Sequence, residues 1–505
     1  MISRGSSLIK RTSLTLFLLF SLIFVTSAQT TNGNHAVDDQ FNGVRAFIRK
    51  QMIERNVPSV AVAVARDGRI IWEEAFGWAD RENRIAATPH TIYSLASISK
   101  PITATGLMIL KERGKIDLDR PINDYLGEAK LKVRVGNPAD ATVRRVANHT
   151  SGLPLHYQFF YEDEPHRAPS RDETIRRYAN SVTAPGEKHQ YSNLGYGILD
   201  YVIERVSGKG YAEFMRAEVF QPLVLTHMSV DIAPGLEKHQ AVRYGADGLP
   251  IPFYAFDHPG GSAVYASAHD LLRFAMFHLK AHLPDQKPIL SDQTIDEMHR
   301  PTAQSGPDTG YGIGWNTSVF PGNHPIVAHS GGMGGVATSL RLFPQDKIAI
   351  VVLTNSSSSA PHLISDEIVA FLMPDAARKP VPQNQPPPEP VFKPTSELIG
   401  IWKGTVHTYK EEIPFTIEIK PDADVHTRLG NQLRTLLNRV DFKDGYLTGQ
   451  MMSDIGTEDA NRTRYTLSLL LKLRGDVMNG AMTAQSIPGK RVGNALTHWV
   501  ELKKQ

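Results

Sequence analysis

The chain has 505 residues, of which 41% are hydrophobic and 21% are charged, and this composition is typical of globular proteins rather than disordered ones. The formal net charge of +3 is small for this length, which argues against nucleic acid as a partner. The absence of cysteine excludes disulfides, cysteine nucleophiles and iron–sulfur clusters bound by cysteine. The length allows two or three domains.

The first 28 residues have the pattern of a targeting segment. Arg4, Lys10 and Arg11 precede an apolar run from Leu14 to Val25, and Thr26-Ser27-Ala28 then forms a small-residue cleavage site. The apolar run is short for a bilayer span. We predict a cleaved signal peptide and an exported protein, periplasmic or secreted, with no stable membrane span after cleavage. An uncleaved signal anchor is the alternative.

The residues that follow predict a mixture of helices and antiparallel strands. Residues 38–56 carry apolar side chains at helical spacing, which predicts an amphipathic helix. Two runs of strand-forming residues, 59–65 and 69–76, flank Asp67-Gly68, which predicts a hairpin. Further predicted elements are helices at 102–110, 171–181, 198–206, 267–283 and 360–372, and a second hairpin of strands at 339–343 and 348–354.

The composition changes after Met373. Seven prolines between Lys379 and Pro394 predict a semi-extended linker, because residues this rich in proline do not form a helix or a central strand. Beyond it, short strand-like runs alternate with turn residues to the end of the chain, which predicts a small all-β barrel or sandwich. The predicted divisions are a signal peptide at 1–28, a main domain at 29–373, a linker at 374–396 and a C-terminal β domain at 397–505.

The segment Ser97-Ile98-Ser99-Lys100 is the strongest candidate for chemistry. Residues three apart on a helix share a face, so a helix that begins near Ser97 would bring Lys100 beside the serine hydroxyl. A serine is a weak nucleophile until a base takes its proton, and a buried lysine can have its pKa lowered enough to help. Ser7-Leu8-Ile9-Lys10 has the same spacing but lies in the predicted signal peptide.

Two further motifs follow in the chain, Tyr191-Ser192-Asn193 and His329-Ser330-Gly331. With Ser97–Lys100, they resemble in order and local setting the three motifs of the serine β-lactamase and penicillin-binding protein superfamily. The resemblance covers residues 40–372 and is strongest to the class C β-lactamase-related esterases and D-aminopeptidases. Flanking segments that also match are Asn148–Pro154, Pro185-Gly186, Gly260–Ala263 and Tyr311–Trp315.

The resemblance implies a fold for both domains. Residues 29–373 would form an α/β (α+β) domain of the β-lactamase/transpeptidase type, with an antiparallel sheet flanked by helices and an all-helical lobe. The C-terminal domain would be a lipocalin-like barrel. The resemblance implies no cofactor and no metal, and a small ester, amide or peptide as substrate; a homo-oligomer stays open.

The resemblance also implies a role for each motif residue. Ser97 is the nucleophile, and Lys100 and Tyr191 share its proton, with nearby cations expected to lower the tyrosine pKa. Asn193 hydrogen-bonds the substrate or Lys100. His329 and Gly331 bind substrate, while the backbone N–H groups of Ser97 and Gly332 form the oxyanion hole, with glycines at 331 and 332 permitting close approach.

The third motif decides the expected substrate. Related β-lactamases and peptidases carry lysine where this chain has His329, and a histidine is less suited to the carboxylate of a β-lactam. We therefore predict an exported serine hydrolase that forms an acyl-enzyme on Ser97 and acts on esters or D-amino-acid amides or peptides. The alternatives are a β-lactamase or DD-peptidase, and a non-catalytic homologue that acts as a binding or sensor protein.

Three competing motifs have simpler interpretations. Tyr178-Ala179-Asn180 fits the second motif but lies in a predicted helix, where Tyr178 would be a packing residue. His258-Pro259-Gly260 fits the third, but its proline would remove a strand hydrogen bond. His278 and His282 have metal-ligand spacing, yet without a third ligand they are interpreted as surface histidines of a helix.

Overall fold

The computed structural model describes residues 40–377, 392–489 and 491–505. The predicted signal peptide and most of the predicted linker lie outside these residues. Within the described ranges, none of the helices has both the length and the apolar character needed to cross a membrane.

The α-helices, numbered in chain order, are α1 (Asn42–Glu54), α2 (Ser99–Glu112), α3 (Val143–Ala147), α4 (Arg171–Tyr178), α5 (Asn193–Ser207), α6 (Tyr211–Met215), α7 (Pro259–Ser262), α8 (Ala268–His278), α9 (Asp292–His299) and α10 (Ala360–Leu372). The first sixteen strands are β1 (Ser59–Arg66), β2 (Arg69–Asp80), β3 (Ile85–Ala86), β4 (Tyr93–Ser94), β5 (Lys132–Val133), β6 (Phe159–Tyr161), β7 (Asn180–Ser181), β8 (Met228–Val230), β9 (Tyr254–Phe256), β10 (Val264–Ala266), β11 (Ala303–Gly306), β12 (Thr309–Tyr311), β13 (Asn316–Phe320), β14 (His324–Met333), β15 (Val336–Phe343) and β16 (Ile348–Thr354).

The main sheet is antiparallel and has nine strands in the order β11-β12-β13-β14-β15-β16-β1-β2-β3. All residues of β16 are buried, because α8 and α10 both pack against this part of the sheet. The hairpin predicted at Asp67-Gly68 is confirmed, since both residues adopt the left-handed backbone of a tight turn, with φ of 50° and 74°.

Helix α2 lies at the centre of the helical region and contacts α5 and α7. Residues 99–110 of this helix are all buried, as its apolar sequence predicted. Two other predicted helices were too long. The helix predicted to reach residue 181 ends at Tyr178 because Asn180–Ser181 pairs with β5, and α8 ends at His278 rather than at residue 283.

The C-terminal residues form the predicted all-β domain. Its strands are β17 (Gly400–His407), β18 (Glu412–Ile419), β19 (Val425–Leu429), β20 (Thr435–Leu436), β21 (Asn438–Lys443), β22 (Tyr446–Met451), β23 (Tyr465–Arg474), β24 (Val477–Ser486) and β25 (Ala495–Lys504). They form one antiparallel sheet in the order β20-β19-β18-β17-β25-β24-β23-β22-β21, which curls into a nearly closed barrel. The sequence did not predict β19 to β21, which are short or irregularly paired.

The barrel packs against the first domain, and the described residues from Gly43 onward form one compact unit. Tyr157 and Ala495 exchange both main-chain hydrogen bonds, at 3.1 and 2.9 Å. Tyr178 is buried at the end of α4 and donates its hydroxyl to Asp459 of the barrel. Tyr178 is therefore a packing residue, as predicted.

Candidate active site

Ser97 lies in a tight turn in front of α2. Strand β4 leads into a 3₁₀ turn, Ala96–Ile98, which continues into the helix at Ser99. Ala96 has φ of +48°, a left-handed conformation that is uncommon for a residue with a side chain. Its neighbours are buried whereas Ser97 is half-buried. The turn therefore leaves the Ser97 hydroxyl as its accessible group, two residues before α2 begins.

Lys100 is fully buried in the first turn of α2. Its Nζ donates to Ser97 Oγ at 3.1 Å, to Asn193 Oδ1 at 2.7 Å and to the main-chain oxygen of Gly261 at 2.9 Å. No carboxylate of the described residues forms an ion pair with it. Burial therefore holds the pKa of the Lys100 ammonium well below its usual value of 10.5. A neutral amine in this position can accept a proton from Ser97.

Tyr191 lies beside Lys100, and the lysine Nζ is 4.7 Å from the centre of the phenol ring. Burial raises the pKa of Tyr191 above its usual value, and a hydrogen bond with Ser97 only partly opposes this. The expected lowering of the tyrosine pKa by nearby cations is therefore wrong, because burial outweighs the other contributions. The Tyr191 hydroxyl therefore stays protonated at neutral pH.

Asn193 is the first residue of α5, and the side chain of Ser192 caps this helix by accepting from the N–H of Gly195. Both polar atoms of the Asn193 side-chain amide form hydrogen bonds. Its oxygen accepts from Lys100, and its Nδ2 donates to the main-chain oxygen of His156 at 3.0 Å. Of the two predicted partners, substrate or Lys100, the structure supplies the lysine.

His329 is buried in β14 and is held on both ring nitrogens. Its Nε2 lies 3.1 Å from the Tyr311 hydroxyl and its Nδ1 lies 2.8 Å from the main-chain oxygen of Ser330. We assign the ring proton to Nδ1, which faces a pure acceptor. Burial, reinforced by Lys100, lowers the pKa of His329 to about 3, so the ring is neutral at pH 7.

The glycines of the third motif differ from each other. A Cβ on Gly331 would lie 2.1 Å from the Leu95 oxygen and 3.0 Å from Ala96 Cβ, so β14 passes directly beside the turn that carries Ser97. A Cβ on Gly332 would meet no atom within 4 Å, and this glycine is exposed. The predicted close approach thus holds at Gly331, whereas Gly332 borders open space.

His149 supports Tyr191 from the loop Asn148–Pro154. Its ring centre lies 4.4 Å from that of Tyr191, and its Nδ1 accepts from the N–H of Ser192 at 3.2 Å. His149 adopts a left-handed φ of 62°. The sequence placed this loop among the matching segments but gave the histidine no role.

A buried His–Asp–His cluster adjoins the site, and the sequence did not reveal it. Asp257 accepts from His156 Nε2 at 2.7 Å and from His258 Nδ1 at 2.6 Å, and all three side chains are buried. Burial alone would raise the pKa of Asp257, but the two imidazoles hold it below its usual value. The three residues also have a spacing that could hold a metal ion. Hydrogen bonding accounts for both contacts, so we assign no metal to them.

His258 is close to the site, although not as a third motif. It precedes α7, whose Gly260 and Gly261 allow the turn to pack on α5: a Cβ on Gly260 would lie 2.7 Å from the main-chain oxygen of Tyr196. This packing brings the Gly261 oxygen to Lys100. The Gly-Gly pair was the available signal for the contact.

His278 and His282 are not two surface histidines of one helix. His278 is buried, with Nε2 3.0 Å from Thr105 Oγ1 and Nδ1 3.3 Å from His299. His282 lies beyond the end of α8 and contacts Asp292. The predicted surface position is wrong for His278, because the apolar face of α8 includes its last turn.

Comparisons with known proteins agree with this geometry. The family model described as Beta-lactamase matches residues 44–372. Protein flp of Staphylococcus aureus is 23% identical over 339 residues, which are 65% of this chain and 66% of flp. The chain thus spans just under two thirds of the length of that curated relative.

Two solved structures share the fold. The octameric penicillin-binding protein homologue from Pyrococcus abyssi aligns with a TM-score of 0.59 at 22% identity, covering 90% of this chain and 99% of that one. A class C β-lactamase from Rhodobacter sphaeroides aligns with a TM-score of 0.56 at 22% identity, covering 65% of this chain and all (100%) of that one. With three motifs around one buried lysine and a family match across most of the chain, this protein belongs to the beta-lactamase family, within the superfamily of serine β-lactamases and penicillin-binding proteins.

Proposed function

We propose that this protein is an exported serine hydrolase that forms an acyl-enzyme on Ser97 and hydrolyses esters or D-amino-acid amides and peptides. The observation that carries the proposal is the buried amine of Lys100, which has no acidic partner among the described residues and lies 3.1 Å from Ser97 Oγ. An amine whose pKa is lowered by burial gives up its proton more readily, and its neutral form can act as the base that makes Ser97 a nucleophile.

The reaction follows from these positions. Ser97 Oγ attacks the substrate carbonyl while its proton passes to Lys100 Nζ, and the negative oxygen is received by the N–H groups of Ser97 and Gly332. Tyr191 is protonated at the start of the reaction. Its hydroxyl passes this proton to the leaving alcohol or amine and then recovers a proton from Lys100. Water then attacks the acyl-enzyme by the reverse proton path, which releases the acid and restores Ser97.

The third motif supports the choice of substrate class. His329 is neutral and both of its ring nitrogens are occupied, so it supplies no positive charge for the carboxylate of a β-lactam. Esters and D-amino-acid amides do not need a charge at that position. A β-lactamase or DD-peptidase is the second candidate, and the likeness to a class C β-lactamase structure favours it.

A panel of three substrates tests the proposal: nitrocefin, p-nitrophenyl butyrate and D-alanine p-nitroanilide. We expect higher kcat/KM for the ester or the anilide than for nitrocefin, and loss of all activity in Ser97→Ala. A fluorophosphonate probe should label Ser97, as located by peptide mass spectrometry. Labelling elsewhere, or full activity in Ser97→Ala, would contradict the proposal and favour a non-catalytic homologue.

Export, domain division and assembly are part of the same proposal. Cleavage after Ala28 would leave Gln29 as the mature N-terminus, which sequencing of the secreted protein can test. We place the domain boundaries at 29–373 and 397–505, with the proline-rich linker between them. The octameric state named for the Pyrococcus abyssi relative suggests a homo-oligomer here, and light scattering on the purified protein would give its mass.

A further inference from the structure

Arg243 lies at the end of the strand that carries the third motif. Its Cβ is 2.7 Å from the position of a Cβ on Gly335, so the arginine is packed directly on the turn that follows β14. Tyr254 fixes the same turn by donating its hydroxyl to the Gly334 oxygen at 2.6 Å. The arginine therefore stands three residues beyond Gly332, whose N–H belongs to the proposed oxyanion hole.

The Arg243 guanidinium is held by aromatic residues rather than by an acid. It lies 3.7 Å from the ring centre of Tyr254 and 5.1 Å from that of Phe253, and its Nη1 donates to the Tyr265 hydroxyl at 3.3 Å. Only 5% of the residue is exposed. Tyr265 lies in β10 and pairs with Ser94, three residues before Ser97. One side of this cage thus lies on the strand that pairs with the segment leading to Ser97.

The missing carboxylate sets Arg243 apart from other buried arginines of this chain. The side chain of Arg341 is 9% exposed and pairs with Asp366, and that of Arg462 is 7% exposed and pairs with Glu164. Among the described residues, no acidic group forms an ion pair with Arg243. A buried charge without a partner is costly, so an anion that reaches Arg243 from outside the chain would be bound favourably.

We propose that Arg243 binds a carboxylate of the substrate, so that the preferred substrates of the Ser97 site carry an anionic group at a distance from the scissile bond. This inference rests on the proposed function. The planar fork of a guanidinium matches a carboxylate with two parallel hydrogen bonds. A single cation in an aromatic cage favours a carboxylate over a dianionic phosphate.

The spacing sets the length of the substrate. Strand β14 ends at Met333, and Gly334-Gly335 form the turn into β15, so the main chain spans at most roughly 10 Å between Gly332 and Gly335. A substrate whose carbonyl oxygen lies at Gly332, and whose chain follows β14 toward its C-terminal end, places its far end beside Arg243. A carboxylate attached directly next to the scissile bond would be too close to reach it.

The test compares p-nitrophenyl hydrogen adipate with p-nitrophenyl methyl adipate, which differ only in the charge of the far end. We expect wild type to prefer the anionic ester by about 10- to 100-fold in kcat/KM, as fits a charge-assisted hydrogen bond. Arg243→Gln should lose this preference through a higher KM, while the methyl ester reacts within about threefold of wild type. Arg243→Lys should retain part of the preference, and Arg69→Gln, an exposed charge on β2, should retain all of it.

A measurement without turnover separates this inference from the proposed function. Adipate at millimolar concentration should raise the Tm of the catalytically inactive Ser97→Ala protein, and should not do so in the Ser97→Ala/Arg243→Gln protein. If wild type hydrolyses neither ester but adipate stabilises it through Arg243, the proposed function fails and the anion site stands. Equal rates on both esters in wild type, or equal losses on both in Arg243→Gln, would make Arg243 a structural clamp and overturn the inference.

Discussion

Two buried polar clusters adjoin each other in this protein, and burial has opposite outcomes for the charged form of the central residue in each. In the first, Lys100 meets only uncharged oxygens, from Ser97, Asn193 and the Gly261 main chain. In the second, Asp257 lies between the imidazoles of two histidines. The clusters are connected, because the Asn193 amide that accepts from Lys100 also donates to the main-chain oxygen of His156.

The two clusters differ in that the second contains a carboxylate, that of Asp257, and the first contains none. Burial disfavours the charged form of any group, so the lone amine of Lys100 is pushed toward its neutral, basic form. Asp257 is equally buried, yet its two donors keep it ionised, and it ties the loop of His156 to the turn of His258. Burial among uncharged oxygens thus lowers the pKa of the Lys100 amine and makes it a base, whereas two hydrogen-bond donors stabilise the buried Asp257 carboxylate as a rigid support.

The largest effect should come from removing the base. Lys100→Met should lower kcat/KM on the preferred substrate by about 10³-fold, the usual worth of a general base. Lys100→Arg is the matched control, because a guanidinium supplies a cation with hydrogen-bond donors but does not lose its proton. Both variants should be equally inactive, as measured by steady-state kinetics on folded protein. Substantial activity in Lys100→Arg would mean that the lysine acts as a cation and not as a base.

A carboxylate placed beside Lys100 should stabilise the charged form of the lysine, so that the first cluster, like the second, contains a stabilised buried charge. Asn193→Asp puts a negative oxygen at the position now 2.7 Å from Lys100 Nζ, which raises the lysine pKa. We expect about a 100-fold loss of kcat/KM at pH 7, with the acid limb of the pH–rate profile moved to higher pH because the base deprotonates later. Asn193→Gln, which adds no charge, should lower the rate without moving the limb. An unmoved limb in Asn193→Asp would show that Lys100 does not govern it.

Removing the carboxylate from the His156–Asp257–His258 cluster should destabilise the fold. Asp257→Asn leaves one imidazole without its acceptor, and we expect the free energy of unfolding to fall by about 1–3 kcal/mol. The pKa of Asp257 lies below its unfolded value of 3.8, so its contribution is complete above about pH 5 and is lost as the pH falls through and below 4. Urea unfolding at pH 6 and at pH 3 measures this. The gap between wild type and variant should narrow at pH 3; a constant gap would mean that Asp257 is not ionised.

The sequence predicted the first cluster far better than the second. Ser97, Lys100, Tyr191 and Asn193 lie in short motifs, and their spacing carries the geometry. His156 and Asp257 are 101 residues apart and meet only because two loops fold onto α5, so no local pattern reveals them. Helix α10 was predicted to the residue at 360–372, whereas the two-residue β7 depends on a distant partner. Long-range pairing is the part of this fold that propensity does not encode.

The smallest effect should come from the third motif, where this chain has His329 in place of the lysine of related β-lactamases. The contacts of this histidine differ from those of Lys100 and from those of Asp257. His329 is neutral and bridges Tyr311 and the Ser330 main chain. Glutamine can supply the same acceptor and donor, so His329→Gln should change kcat/KM on neutral esters by less than about tenfold. Because the pKa of His329 is lowered to about 3, the pH–rate profile of the variant should match wild type between pH 5 and 9. A new or missing limb near pH 6 would mean that His329 titrates as a cation, and β-lactam substrates would then become the better expectation.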